Sequence, residues 1–204
     1  MTVIEVYGDI WCPFTHVGLR LVADRRRDRG RTDVPIHVRA WPLELVNGAP
    51  LDPIHAGEHA SELREQVAPD MFRGLSRARF PETTLPALDL AACAYRVGDQ
   101  LGERVSFALR HALFEQGLDI SDPVVLRDIA GAHGLGEPTD LDHEVVLEEW
   151  HEGQRLGVRG SPHFYCDGRD VFCPSLDISR DPDEHLLVTR DLSSLDSFLD
   201  FCLG

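Results

Sequence analysis

The sequence predicts an α/β fold whose single sheet is interrupted by a block of helices. Three observations carry this. The first 45 residues read as strand, helix, strand. From about Asn47 to Leu156 the apolar pattern turns helical, and the end of the chain returns to two short strands around Asp167-Gly168, followed by a closing helix. Neither end holds enough strands for a sheet of its own, so the two must combine. Residues 1–46 and 157–204 then form one domain, and residues 47–156 a helical insertion. Chain length allows this, since 204 residues fit one domain carrying a sizeable insertion.

Residues 3–7 alternate apolar and polar, with Val3 and Ile4 favouring a strand. Residues 9–13 form a strand-to-helix turn, where Pro13 suits the first helical position. Val17, Leu21 and Val22 share one face of a helix running to about Asp28, and residues 36–41 make a second strand that Pro42 ends. The stretch 47–57, with Pro50, Pro53 and two glycines, is a connector. Leu88, Ala91, Ala92 and Tyr95 form one helical stripe, and Val105, Leu109, Ala112 and Leu113 another. Ser121-Asp122-Pro123 starts a further helix that Gly134 stops, and Thr139-x-x-Asp142 resembles a capping box opening a last acidic helix. Residues 163–166 and 169–173 flank Asp167-Gly168, which favours a type I′ hairpin turn. His185 to Thr189 could add an edge strand, and Ser193 or Ser194 can cap the closing helix.

Composition excludes several function classes. A formal net charge of -15 repels phosphates, arguing against nucleic acid and anionic membranes as partners. The run from Arg25 to Arg31 is the exception and reads as a solvated helix C-terminus. No apolar run approaches the roughly 20 residues of a membrane helix, and the N-terminus lacks signal-peptide character, so a cytoplasmic protein is expected. The five cysteines, at 12, 93, 166, 173 and 202, lack C-x2-C spacing, and the histidines lack a clustered third ligand; no metal site is expected.

The chemistry points to Cys12. It precedes a helix start, where unpaired N–H groups and the helix dipole favour a thiolate and lower its pKa. Thr15, three residues on, can donate to the sulfur, and His16 shares the helix face and could add positive charge. An inert buried cysteine is the alternative. The second element is Gly157-Val158-Arg159-Gly160-Ser161-Pro162-His163-Phe164, between the last inserted helix and the hairpin.

Cys12-Pro13-x-Thr15 after an N-terminal strand, with Gly-Val-x-Gly-Ser-Pro opening a late hairpin, resembles the DsbA-like branch of the thioredoxin superfamily. The closer likeness is to FrnE-type proteins, 2-hydroxychromene-2-carboxylate isomerases and kappa-class glutathione transferases. Val38-Arg39-Ala40-Trp41-Pro42-Leu43 and Leu113 to Asp122 extend it over nearly the whole chain. The resemblance implies a thioredoxin fold with Cys12 as attacking thiol and Ser161-Pro162 as a cis-proline loop facing it. Pro13, Phe14, Ser161, Pro162 and His163 would then contact substrate, the alternative for His163 being a side chain pointing into the sheet.

Thr15 stands where dithiol relatives carry a second cysteine, so a mixed disulfide on Cys12 lacks its usual resolving neighbour. Three readings follow. In the first, a thiol-disulfide oxidoreductase uses Cys173 to resolve, while Cys93, Cys166 and Cys202 are structural. In the second, the enzyme is an isomerase or transferase using glutathione or mycothiol as thiol co-substrate, with no tightly bound cofactor. The third is a non-catalytic binding module. The partner is a small thiol or a protein disulfide, and the related transferases suggest a homodimer. Trp41 and Phe80, with Phe14, are aromatic residues that could line the pocket.

Overall fold

The computed structural model describes residues 2–136, 143–182 and 186–204. Strand β1 (Ile4–Gly8) leads through residues 9–12 into helix α1 (Pro13–Asp28), and β2 (Ile36–Ala40) follows. Helices α2 (Leu43–Asn47), α3 (Pro53–Gln66), α4 (Leu85–Val97), α5 (Asp99–Phe114), α6 (Pro123–Ala132) and α7 (Glu144–Leu156) come next. The chain then returns to β3 (His163–Cys166), β4 (Arg169–Phe172), β5 (Leu176–Arg180), β6 (Leu186–Arg190) and α8 (Ser193–Leu203).

The main sheet has the order β2-β1-β3-β4. Strand β1 pairs parallel with β2, Ile4 opposite Ile36, and antiparallel with β3, Val6 opposite Phe164. The two ends of the chain therefore meet at the centre of one mixed sheet, with the helices inserted between. Alternation sorts the side chains. Ile4, Val6, Ile36, Val38 and Phe164 pack with Leu19 and Val22 of α1 and with Leu195, Phe198 and Leu199 of α8. Tyr7 joins Trp41 and Val158 on the opposite face, against Trp150 of α7.

Strand β2 is an edge, and its outward N–H groups need partners. Each finds one on a different inserted helix. Ile36 N donates to Glu103 of α5 at 3.1 Å, Val38 N to the Tyr95 hydroxyl of α4 at 2.9 Å, and Ala40 N to Glu149 of α7 at 2.7 Å. Tyr95 also donates to Ile36 O at 3.0 Å. The helical core reaches back toward the strands as well, since Ile10, Trp11 and Val17 are buried among residues of α3, α4 and α5.

Several details depart from the sequence reading. The arginine run is not a simple solvated end. Arg26 is buried against Val34 O and Glu103 (2.7 and 2.5 Å), and Arg29 reaches Asp196 and Asp200 of α8 (3.2 and 2.9 Å). The N-cap of α8 is Leu192, which offers no side-chain cap; the Asp191 carboxylate before it accepts from Ser193 N at 2.9 Å, and neither Ser193 nor Ser194 caps the helix. The strand expected near 185–189 does not extend the main sheet: β6 pairs with β5 as a separate ribbon, Ile178 opposite Val188. Gln66 of α3 holds that ribbon through Leu186 O (2.9 Å) and Val188 N (2.8 Å), which explains its separate placement. Thr139 and Asp142, and His185 with them, lie outside the described residues. At the hairpin, Asp167 and Gly168 both have positive φ (46 and 82°), as a type I′ turn requires.

Candidate active site

Cys12 is the N-cap of α1, with Pro13 the first helical residue and Cys12 O accepting from His16 N at 3.1 Å. Its thiol is 4% exposed and donates to Ser161 O at 3.2 Å. The Ser161–Pro162 bond is cis. The Ser161 hydroxyl accepts from Asp9 N at 2.9 Å and shares a 2.6 Å hydrogen bond with the Thr15 hydroxyl. This close approach depends on Gly8, where an added Cβ would lie 2.8 Å from Thr15 Cγ2 and 3.5 Å from Ser161 Oγ. Cys12, Thr15, Ser161 and Pro162 are thus brought together from opposite ends of the sequence.

Cys173 follows β4 in the next loop. Its N–H donates to Pro162 O at 3.0 Å, and its φ of 44° turns the chain there. Burial pushes its thiol up to about 12, and the field of Cys12 adds to the rise. Phe14 lies 5.4 Å from His59 between ring centroids. A cavity of about 390 Å³ opens here, bordered by Phe14, His59, Ser161, Cys173, Arg180 and Leu186. The β5–β6 ribbon supplies its roof.

His163 is not part of this cluster. It is buried on the other face of the sheet, where its Nε2 pairs with Asp170 at 2.9 Å and its Nδ1 accepts from Arg159 N at 3.1 Å. Strand alternation decides this, because Phe164 beside it takes the face toward α1. Trp41 also lies on that far face, with its ring 6.4 Å from Tyr7. Phe80 stacks on the fully buried Trp11 at 5.8 Å, so its role is to hold the loop that ends in Cys12. Cys166 and Cys202 are buried in the core beside α8, whereas Cys93 is exposed on α4 and packs in none of the core clusters among the described residues.

The electrostatics correct one expectation. Burial is the largest influence on the Cys12 thiol and pushes it up, and the charge of Asp9 adds to the rise. The hydroxyls of Ser161 and Thr15 and the Thr15 N–H pull the other way, as a helix start should, without overcoming burial. His16 adds no adjacent cation either. Burial holds it below its ordinary value, and its Nε2 is engaged by Glu115 at 3.0 Å.

Two further residues bear on the site. Asp9 is fully buried; burial raises its carboxyl to about 6 even though Leu43 N donates to it at 2.5 Å. Arg110 of α5 is 1% exposed and donates to Asp9 O at 3.2 Å and to Ser106 O and Oγ at 3.1 and 2.7 Å. Asp9 reads in the sequence only as a turn former. Arg110 adjoins the apolar stripe of Leu109 and Leu113, with Ser106 one turn earlier, and that charged intrusion was the available signal.

The model of the DSBA-like thioredoxin domain matches residues 3–180. The chain belongs to that family. No curated protein matches it in sequence. Among solved structures, the DsbA-like fold is shared with a probable DsbA oxidoreductase, SCO1869 from Streptomyces coelicolor, at 18% identity, covering 84% of this chain and 83% of that one, with a TM-score of 0.61. It is shared with the cytosolic disulfide reductase DsbM from Pseudomonas aeruginosa at 16% identity, coverage of 98% and 97%, and a TM-score of 0.60. A 2-hydroxychromene-2-carboxylate isomerase matches at 10% identity, coverage of 83% and 88%, and a TM-score of 0.57. The DsbA-like chain thus has oxidoreductases and an isomerase as structural neighbours. Among the described residues, no helix is long and apolar enough to cross a membrane, and no group of three or more His, Cys, Asp or Glu side chains could hold a metal ion.

Proposed function

We propose that this DsbA-like protein is a thiol-disulfide oxidoreductase in which Cys12 attacks and Cys173 resolves. The observation that carries the reading is that both cysteines are held on the cis Ser161–Pro162 unit: the Cys12 thiol donates to Ser161 O, and the Cys173 backbone N–H donates to Pro162 O in the adjoining residue. The Cys12 thiolate attacks one sulfur of a substrate disulfide, releasing the other as a thiolate and leaving a mixed disulfide. The Cys173 thiolate then attacks Cys12 Sγ, releases the second substrate thiolate and leaves a Cys12–Cys173 disulfide. Two electrons pass to the substrate, and a small thiol reductant restores the dithiol. Part of the rise in the Cys173 thiol comes from Cys12, and this part disappears once Cys12 carries a neutral mixed disulfide.

A second reading rests on the cavity of about 390 Å³ beside Ser161 and Cys173, which Arg180 borders as a cation and His59, held below its ordinary value by burial, as a neutral hydrogen-bonding group for an acidic small thiol. There the protein is an isomerase or transferase, and glutathione or mycothiol supplies the sulfur. Mass spectrometry after mild oxidation separates the two. A Cys12–Cys173 linkage, lost in Cys173→Ser with accumulation of the mixed disulfide, supports the first. A stoichiometric small-thiol adduct on Cys12 in the wild type, with no internal linkage, replaces it with the second. Protein that forms neither is a binding module.

A further inference from the structure

Arg110 is a buried cation that no carboxylate among the described residues touches. Both of its terminal nitrogens donate to neutral oxygens, those of Ser106 and the Asp9 carbonyl, and its Nε has no hydrogen-bond partner among the described residues. No carboxylate among the described residues lies within 4.0 Å of it, although the chain holds 35 acidic residues against 20 basic ones. Isolated buried charges are costly, and a chain this acidic has every means to pair one. The absence of a partner therefore needs a reason.

The surroundings supply it. Arg110 holds the carbonyl of Asp9, which opens the loop ending in Cys12; the amide of Asp9 is in turn held by Ser161, whose carbonyl receives the Cys12 thiol. Burial is the largest influence on Arg110 and lowers it to about 10, still charged at neutral pH; the fields of Tyr95, Asp9 and Cys12, in that order, oppose the fall. One buried cation thus faces two titratable acids in the loop, Asp9 and Cys12, with the Cys173 thiol alongside Cys12 and the neutral phenol of Tyr95 behind.

We propose that Arg110 is a positioning residue: it steadies the loop through the Asp9 carbonyl, and its charge is shared between the Asp9 carboxylate and the Cys12 thiolate, compensating the negative charge when Cys12 ionises. This role lies outside the two resolving schemes and rests only on the reading that Cys12 reacts as a thiolate. Asp9 acts in the opposite sense, since its carboxylate competes for the same cation. The thiolate is thus made available by a residue of the inserted helices rather than by His16 or by a second motif cysteine.

The test is the pH profile of Cys12 alkylation by iodoacetamide in the full-length protein, read on the Cys12 peptide by mass spectrometry. Arg110→Met should lower the rate at pH 7 by about tenfold or more by moving the midpoint upward, with the high-pH plateau retained. Arg110→Lys, which keeps the charge, should recover most of that loss, and Asp9→Asn should move the midpoint downward. A purely structural role would lower the plateau or the urea midpoint without moving the titration. That outcome overturns the proposal, as does an unmoved midpoint in folded Arg110→Met. Should Arg110→Met fail to fold, Asp9→Asn decides: an unmoved or raised midpoint there refutes the charge competition. Mixed-disulfide trapping in the same samples is independent. Trapping with unmoved midpoints removes Arg110 and leaves the oxidoreductase; moved midpoints without trapping do the reverse.

Discussion

Protonating Glu115 should unfasten the loop that carries Phe72 from the end of helix α5. Its carboxylate accepts from Phe72 N at 2.9 Å, Arg73 N at 3.1 Å and His16 Nε2 at 3.0 Å, and its side chain is 15% exposed. Burial opposes ionisation, but these donors together hold the carboxyl down from 4.5 to about 2. At about 1.36 kcal/mol per pH unit, this difference corresponds to about 3 kcal/mol of folding stability. Because the folded-state value is the depressed one, the contribution is complete above pH 4.5 and is lost as pH falls toward 2. Urea unfolding of wild type and Glu115→Gln between pH 7 and pH 2 measures it. The variant should be about 3 kcal/mol less stable at pH 7, with the gap closing steadily below pH 4.5. A gap that stays constant down to pH 2 would refute the reasoning, because the loss would then owe nothing to the ionised carboxylate.

Other substitutions test other parts of the structure. Gly8→Ala places a Cβ 2.8 Å from Thr15 Cγ2, and overpacking at so tight a contact should cost about 1–3 kcal/mol by urea denaturation. Tyr95→Phe strips Val38 N and Ile36 O of their partner and should cost about 2 kcal/mol, whereas an effect under about 0.5 kcal/mol would mean that water replaces the hydroxyl. Thr15→Cys installs a thiol at the fourth position of the motif, so diamide oxidation followed by peptide mapping should link Cys12 to position 15 and leave Cys173 free.

The course of the chain was legible because periodicity is local. Residues 3–7 alternate, Leu88 to Tyr95 and Val105 to Leu113 form stripes, and Asp167-Gly168 marks a hairpin; each appears as an element in the structure. The motif residues Cys12, Thr15, Ser161 and Pro162 were likewise legible as two patterns, and the fold brings the patterns together. What was not legible depends on partners distant in sequence. Whether His163 faced the site depended on the register of β3 against β1, and Tyr7 lies opposite it in that pairing. Arg26 looked solvated because nothing nearby announces Glu103, 77 residues on. The helix start predicted a lowered Cys12 pKa, but dipole arguments are local and burial is not; the surrounding tertiary structure reverses the sign.

The three side chains that close the edge of β2 have a consequence for assembly. Glu103, Tyr95 and Glu149 come from three different inserted helices, so the strand's outward N–H groups are blocked only after all three have docked. Until then β2 presents a β-branched ladder able to template strands of other chains. The insertion therefore works as an intramolecular guard against aggregation as well as a wall of the site. Excising it to obtain a minimal sheet domain would yield a sticky edge rather than a smaller version of the same molecule.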